Sequence, residues 1–377
     1  MKKTILKFGC FIAGLFFSVC VVAAQPVQDK QLSGGLIHSL YVDPAGNVWV
    51  WGGSSLDGVS NELIPSIAMK EGRSAQSNFN SNTTFVIKKD GSLWGWGNTI
   101  AGQLRLFPKD DRMNSAFIDI PREILGQAIA VNGEGSIFVI KPDHSLWVWG
   151  HWGAQRGDAG RKDTTVPRQV MNDVVQVSST NYHTLALQKD GTLWAWGDNQ
   201  CGALGIGNRT KHVKPVKVKL QPLGQRKVAK IATRWGESYI VADDGTVWYA
   251  GEFNINQAEC LDPPHLVLTR MTDIDNVADI ALGQYHELYL KKDGSVWASG
   301  YGSAAHSSTI YVDKAPHKVM DQAREIAAGD LHSLVLKKDG TVWAWGDNRK
   351  GQLGNGTTQR SAIPVQVKFP NQVFFRK

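Results

Sequence analysis

Short stretches of the chain alternate apolar and polar residues with a period of two, which is typical of β-strands. Residues 332–336, HSLVL, form one such stretch, and residues 183–187, HTLAL, repeat it. Each stretch is followed by a turn and by a second strand rich in tryptophan and glycine, as in residues 342–346, VWAWG. No 3.6-residue helical period separates these strands, so the pattern predicts an all-β protein.

The tryptophan-glycine strand occurs seven times, at residues 46–52, 91–97, 144–150, 191–197, 245–251, 294–300 and 340–346. The first tryptophans of these units recur every 45 to 54 residues, and we expect them to be structural: Trp49, Trp94, Trp147, Trp194, Trp248, Trp297 and Trp343. We expect this first ring to fill the gap between neighbouring sheets. The second tryptophan is replaced by Ala250 and Ser299 in units five and six, which indicates a lesser structural role.

Each unit contains enough strand signals for a four-stranded sheet. Asp-Gly pairs such as Asp190-Gly191 and Asp339-Gly340 predict two-residue hairpins between the second and third strands. A short apolar strand precedes each hairpin, and a proline marks an outer edge strand: Pro65, Pro121, Pro167, Pro215, Pro264, Pro316 and Pro364. The sequence therefore predicts a single seven-bladed β-propeller of four-stranded antiparallel blades, with a stacked β-solenoid as the alternative.

The N-terminus has the form of a secretory signal peptide. Three lysines precede an apolar run, residues 8–22, which ends in Ala23-Ala24. A retained membrane anchor is the alternative, but about 15 apolar residues fall short of the roughly 20 that span a bilayer. We therefore expect a signal peptide at residues 1–24, a propeller at residues 25–377, a secreted or periplasmic location and no stable membrane insertion.

The repeat also follows a known family pattern. Residues 329–354 match G-x-x-H-[ST]-L-x-L-x-x-D-G-x-[VL]-W-x-W-G-x-N-x-x-G-Q-L-G almost throughout, and residues 181–205 match it well. This pattern resembles the repeat of the regulator of chromosome condensation family, and the resemblance extends over residues 30–377. It implies a propeller fold, but the family includes exchange factors, secreted enzyme inhibitors and adaptors, so the fold alone does not decide the function. An exported, compact chain is closest in character to the secreted bacterial propellers of that family.

Candidate chemistry is sparse. The sequence contains no H-E-x-x-H, G-x-S-x-G or phosphate-binding glycine loop, so we expect no catalytic residues, no metal and no cofactor. Four histidines occupy one repeat position, which predicts a buried structural role around the ring: His38, His183, His286 and His332. Cys201 and Cys260 follow the tryptophan strands of adjacent units, and the sequence leaves open whether they form a disulfide.

The net charge of +7 is mildly basic, and it is concentrated in residues 208–235, which carry nine lysines or arginines and no acidic residue. The simplest interpretation is an outer strand with Val216 and Val218 facing inward and Lys217 and Lys219 facing solvent. A binding patch for an acidic protein or an anionic envelope polymer is the alternative. We expect no nucleic-acid partner for an exported protein.

The loops that follow the tryptophan strands differ from copy to copy, whereas the hairpins are short and alike, so we expect recognition on the loop face. The candidate partner-binding residues are the aromatic and arginine residues that the repeat does not require: Phe107, Trp152, Arg156, Tyr182, Arg234, Trp235, Phe253, Tyr285 and Tyr301. The sequence predicts a monomeric, non-enzymatic propeller that binds a protein partner. The alternatives are a guanine-nucleotide exchange factor-like effector and an envelope carbohydrate-binding protein.

Overall fold

The computed structural model describes residues 29–53, 61–78, 82–98, 102–104, 117–150, 156–158, 164–254, 259–260, 264–301 and 312–370. Seven four-stranded antiparallel sheets form the blades of a ring, which confirms the predicted seven-bladed propeller. Six blades are built from consecutive strands of one unit, and in blade 5 a separate short hairpin lies between the third and fourth strands. Within the described residues, no helix is long and apolar enough to cross a membrane.

The innermost strands of blades 1 to 7 are β1 (Leu32–Gly34), β5 (Gly72–Asn78), β9 (Ala130–Gly133), β13 (Val174–Ser179), β17 (Val228–Arg234), β23 (Val277–Leu282) and β27 (Ala323–Ala328). The second strands are β2 (His38–Val42), β6 (Thr83–Lys88), β10 (Ser136–Ile140), β14 (His183–Gln188), β18 (Glu237–Ala242), β24 (His286–Lys291) and β28 (His332–Lys337). The third strands are β3 (Val48–Gly53), β7 (Leu93–Asn98), β11 (Leu146–Gly150), β15 (Leu193–Gly197), β19 (Val247–Ala250), β25 (Val296–Tyr301) and β29 (Val342–Gly346).

The outer strands are β4 (Asn61–Met69), β8 (Phe117–Leu125), β12 (Thr164–Met171), β16 (His212–Lys217), β22 (Thr269–Arg270), β26 (Val312–Met320) and β30 (Ser361–Gln366). Six of the seven predicted edge prolines lie in these strands, but Pro264 precedes the two-residue β22. Blade 5 also carries a short hairpin, β20 (Phe253–Asn254) and β21 (Glu259–Cys260), and a 3-10 turn at Gln221–Leu223 follows β16.

The hairpins between second and third strands differ from the predicted two-residue turns. In blade 2 the Gly91 amide donates to the Lys88 carbonyl (3.0 Å), and the Lys88 amide donates to the Ser92 carbonyl (2.9 Å). Three residues therefore form the loop, and only the glycine adopts a positive φ, 88° at Gly91. The two-residue prediction was therefore wrong. Asp90 lies inside the loop, where its carboxylate accepts a hydrogen bond from the Ser92 amide and holds the longer turn.

This carboxylate begins a short hydrogen-bond relay that explains the D-G-[ST]-x-W spacing. The Ser92 hydroxyl donates to Asp90 Oδ1 (2.6 Å), and Nε1 of the first tryptophan, Trp94, donates to the same hydroxyl (2.9 Å). The relay recurs in blades 3, 5, 6 and 7. These hydrogen bonds lower the pKa of the turn aspartates, as expected of turn residues with a structural role.

In the five third strands that carry two tryptophans, the second ring and not the first is the more deeply buried, which is the reverse of the sequence-based expectation. The second rings are at most 1% exposed, namely Trp51, Trp96, Trp149, Trp196 and Trp345, whereas most of the first rings are half-buried beside the hairpins. Trp51 Nε1 donates to the Gln352 carbonyl (2.8 Å) and Trp149 Nε1 donates to the Gln103 carbonyl (2.8 Å). The second tryptophan therefore joins its blade to the G-Q-L loop of the preceding blade.

Among the described residues, the first and last blades are each built from their own four strands, and side-chain contacts join them. Glu325 Oε1 in blade 7 accepts hydrogen bonds from the backbone amides of Gln31 and Leu32, both at 2.9 Å. After the last strand, Phe369 packs edge-on against Trp49 and Trp51 of blade 1. Side chains of the two terminal blades thus form one continuous core.

Candidate functional site on the loop face

The loops between first and second strands share one face with the loops that follow the tryptophan strands. A glycine at the end of each third strand holds the two sets together. A Cβ atom at Gly197 would lie 2.4 Å from the Tyr182 carbonyl oxygen, and one at Gly300 would lie 2.4 Å from the Tyr285 carbonyl oxygen. Only glycine permits this approach, so the tryptophan-glycine repeat fixes the loops that carry the candidate aromatics.

Three predicted binding residues lie in these loops on consecutive blades: Tyr182, Trp235 and Tyr285. Tyr182 is 45% exposed and stacks on Trp235, with ring centroids 5.9 Å apart and planes inclined by 21°. Trp235 has a φ of 39°, a strained conformation for a bulky residue. We call these three residues the aromatic arc.

Arg234 directly precedes Trp235 and is buried, not exposed on the rim; its role in partner binding stays a prediction. It is 5% exposed, and its Nη2 lies 2.7 Å from Glu237 Oε2 and 2.6 Å from Glu287 Oε1. Burial and the Glu237 carboxylate raise the pKa of Tyr239, whose hydroxyl donates to Glu237 Oε2 (3.2 Å). A charged network therefore joins blades 5 and 6.

Arg156 is also buried, with no exposed surface, and its role in partner binding stays a prediction. Its Nη1 donates to the Gly150 carbonyl (2.8 Å), and its Nε lies 3.3 Å from Asp158 Oδ2. Arg156 therefore stabilises the loop after β11. Phe107 and Trp152 lie outside the described residues, as do the side chains of Phe253 and Tyr301.

The four repeat-position histidines form buried links between blades. Their Nε2 atoms lie within hydrogen-bond distance of hydroxyls on the next blade: Ser77 (2.6 Å) for His38, Ser238 (2.9 Å) for His183, Ser333 (2.9 Å) for His286 and Ser39 (2.8 Å) for His332. Burial lowers the pKa of His286 and His332 to about 3 and that of His183 to about 4. We call this set the histidine belt. Between blades 5 and 6 the histidine and its hydroxyl partner are both replaced. Glu237 occupies the histidine position, Glu287 occupies the hydroxyl position, and Arg234 forms ion pairs with both.

Sequence reasoning missed a group of charged residues on the loop face of blade 7. Asp330 is 8% exposed, and burial and the Asp347 carboxylate raise its pKa to about 6. Arg349 is directed to Asp347, with Nε 2.9 Å from Oδ1. Its position in the repeat could have identified Asp330 as a loop-face residue. Asp330 lies between the first and second strands of blade 7, as Tyr182 and Tyr285 do in blades 4 and 6.

Two further predictions concern the periphery. Cys201 and Cys260 form a disulfide, with Cα atoms 5.0 Å apart, which ties the loop after β15 to the β20–β21 hairpin. In the basic stretch, Val218 is buried, whereas Lys217 and Lys219 are exposed, as the outer-strand interpretation predicted. Among the described residues, no three histidine, cysteine or acidic side chains are placed to hold a metal ion.

The fold and this face define the class of protein, a seven-bladed propeller with an aromatic and acidic loop face. Two models described as Regulator of chromosome condensation (RCC1) repeat match the chain, one at residues 174–203 and 323–352, the other at residues 190–234 and 339–377. The matched segments therefore carry RCC1-type repeats.

Relatives agree with this assignment. The chain is similar to the ultraviolet-B receptor UVR8 of Arabidopsis thaliana, with 27% identity over 63% of this chain and 56% of the receptor. It is 28% identical to the E3 ubiquitin-protein ligase HERC2 of Mus musculus over 85% of this chain, but spans only 7% of that protein. Among solved structures, Prp20p from Saccharomyces cerevisiae superposes with a TM-score of 0.70 at 19% identity, covering 88% of each chain.

Proposed function

We propose that this protein is an exported, non-enzymatic propeller that binds a protein partner through its loop face. The observation that carries the proposal is the aromatic arc, because a stacked and exposed Tyr182 on a rigid scaffold has the character of an interface anchor. The relatives support it, since Prp20p, which shares the fold, binds Gsp1p and histones. The chain spans 56% of UVR8 and 7% of HERC2, so the activities of those whole proteins are not transferred.

Affinity capture tests the binding proposal. The tagged full chain, expressed in its source organism, should capture a partner from the cell envelope or the medium. Tyr182→Ala should weaken that capture by about tenfold or more, because truncating an interface anchor costs roughly 1 to 4 kcal/mol. The matched control is Ile363→Ala, which truncates a 64% exposed apolar residue on the outer strand of blade 7.

The outcome that contradicts binding is specific. If Tyr182→Ala and Tyr285→Ala capture every partner as well as the wild-type protein does, the loop face is not the recognition surface. A positive nucleotide-release or glycan-array result with the same proteins would then favour the exchange-factor or the carbohydrate-binding alternative.

Export rests on the lysines and the apolar run before Ala24 and is supported by the disulfide, which is typical of proteins outside the cytoplasm. N-terminal sequencing of the protein from the periplasm or medium should find a chain that begins near Gln25. Recovery from the cytosol with Met1 intact would contradict export and leave the binding proposal standing.

A further inference from the structure

The loop face contains a mostly buried residue, Asp330, whose carboxylate has no direct partner among the described residues. Asp330 is held on both sides, because its amide donates to the Gly35 carbonyl of blade 1 (3.0 Å) and its carbonyl accepts from the Gln284 amide of blade 6 (3.1 Å). The residue is only 8% exposed, yet within the described part of the chain its carboxylate makes no hydrogen bond and no ion pair. The Asp330 carboxylate oxygens are not among the fully enclosed polar atoms, so they remain able to accept hydrogen bonds from a ligand that reaches this junction.

The neighbouring cation does not fill this role. The Arg349 side chain is 75% exposed, and its Nε lies 2.9 Å and 3.2 Å from the two carboxylate oxygens of Asp347. Gln352 Nε2 also donates to Asp347, at 3.1 Å. Arg349 therefore compensates Asp347, and Asp330 remains without a direct ion pair among the described residues.

The surroundings of Asp330 favour a cation over an anion. Across the junction with blade 6 lies Tyr285, whose pKa is raised by burial and by the Asp330 carboxylate. On the neighbouring blades, the Arg234 guanidinium lies between the carboxylates of Glu237 and Glu287, so acidic side chains recur on this side of the ring. An aromatic face beside carboxylates is the usual setting for binding a guanidinium or ammonium group.

We propose that the junction of blades 6 and 7 on the loop face is a receptor for a cationic side chain, arginine or lysine, of the protein partner, with the Asp330 carboxylate accepting its hydrogen bonds and the Tyr285 ring lying against it. This inference rests on the proposed function and names the chemistry of the partner segment. The backbone hydrogen bonds of Asp330 to Gly35 and Gln284 fix the position of this loop, and the proposal assigns a binding role to the side chain that the loop carries.

A pair of peptides tests the receptor directly. A fluorescently labelled arginine-rich peptide and its citrulline counterpart differ in charge but hardly in shape, and anisotropy titrations with the full chain compare their affinities. The arginine peptide should bind about tenfold more tightly, since hydrogen bonds to charged groups are stronger than neutral ones. Equal affinity for the two peptides would overturn the proposal.

Variants locate the binding within the face. Asp330→Asn keeps the shape of the side chain and should remove the preference for arginine. Asp321→Asn makes the same charge change at an exposed residue between β26 and β27, on the opposite face, and should leave the preference unchanged. An Asp330→Asn protein that is folded by circular dichroism and keeps the full preference would also overturn the proposal.

A titration of the wild-type protein gives a test that needs no variant. Binding of the arginine peptide should weaken as the pH falls through about 6, because protonation removes the charge of Asp330. The other described titratable groups around Asp330 keep their charge state in this range. The pKa of Asp347 is lowered, those of Arg349 and Tyr285 are raised, and those of His286 and His332 are lowered to about 3. A pH-independent preference down to pH 5 would count against Asp330.

The two proposals can fail separately. If Tyr182→Ala loses the captured partner but the peptides show no difference, the cation receptor is wrong and partner binding stands. If the arginine preference depends on Asp330 but the loop-face variants capture every partner normally, the receptor exists and the proposed protein-binding function is wrong.

Discussion

At the scale of single residues, the two tryptophans of strand β29 lie on the same face of the strand but in different surroundings. Trp345 is completely buried, whereas Trp343 is half-buried and donates to the hydroxyl of Thr341 at the hairpin (3.0 Å). Trp345→Ala should therefore lower the free energy of unfolding by roughly 3 to 5 kcal/mol, and Trp343→Ala by about 2 kcal/mol. Chemical denaturation of both variants measures the difference, and a larger loss for Trp343→Ala would contradict the assignment.

The sequence could not show which of these tryptophans is more buried. A period of two places both rings on one face of the strand, and the burial of each ring depends on the neighbouring blade. The same limit applies to Arg234. Its spacing and charge indicated a rim residue, but its partner Glu287 lies more than fifty residues later, on the next blade. The exposure of Tyr182 was easier to anticipate, because a large aromatic residue in a short loop has little surrounding structure in which to be buried.

At the scale of elements, the hairpin relay makes the serine or threonine after Asp-Gly a stabilising residue. Thr341 donates to Asp339 Oδ1 (2.6 Å) and accepts from Trp343. Thr341→Ala removes both hydrogen bonds and should cost about 1 to 2 kcal/mol of stability, whereas Thr341→Ser keeps the hydroxyl and should cost much less. Thermal unfolding of the two variants checks this, and equal losses would show that the methyl group matters and the relay does not.

Strand order, blade number and the position of each hairpin were predictable, since alternation and Asp-Gly pairs are local signals. The length of the hairpin loop was not, because it depends on the hydrogen bonds that the Asp90 carboxylate makes with the residues after it. Blade 5 departs most from the repeat. Its outer strand is reduced to Thr269–Arg270, and a disulfide to Cys201 fixes the hairpin that precedes it.

At the scale of the whole molecule, ring closure depends on contacts between residues nearly three hundred positions apart. Ser39 Oγ and His332 Nε2 lie 2.8 Å apart across the junction of blades 7 and 1. At the same junction, Glu325 accepts hydrogen bonds from the backbone amides of Gln31 and Leu32. The sequence indicated that the histidines were structural because they recur with the repeat. It did not show their partners, since the hydroxyl that each one meets belongs to a different unit.

The histidine belt should make the stability of the ring depend on pH. The pKa values of its members are lowered from 6.5 to about 3 or 4 by burial, so the unfolded chain binds more protons than the native one below pH 6.5. Stability present above pH 6.5 is therefore lost as the pH falls towards 4. Glu325 and Asp330 have the opposite effect, because burial raises their pKa values to about 7 and about 6. Their contribution to the free energy of unfolding increases as the pH falls from about 7 to about 4.

Four histidines outweigh two carboxyl groups, so the melting temperature should fall between pH 6 and pH 4.5, with a slope of at most roughly 3 kcal/mol per pH unit. His286→Gln keeps an amide that can form a hydrogen bond with Ser333 but removes the titrating ring. It should reduce this slope by up to about 1.4 kcal/mol per pH unit, which corresponds to one proton. Ser333→Ala is the matched control, because it lowers stability at every pH by removing the hydrogen bond while the buried imidazole remains. If both variants keep the wild-type slope, protonation of the belt does not control the acid stability of the propeller.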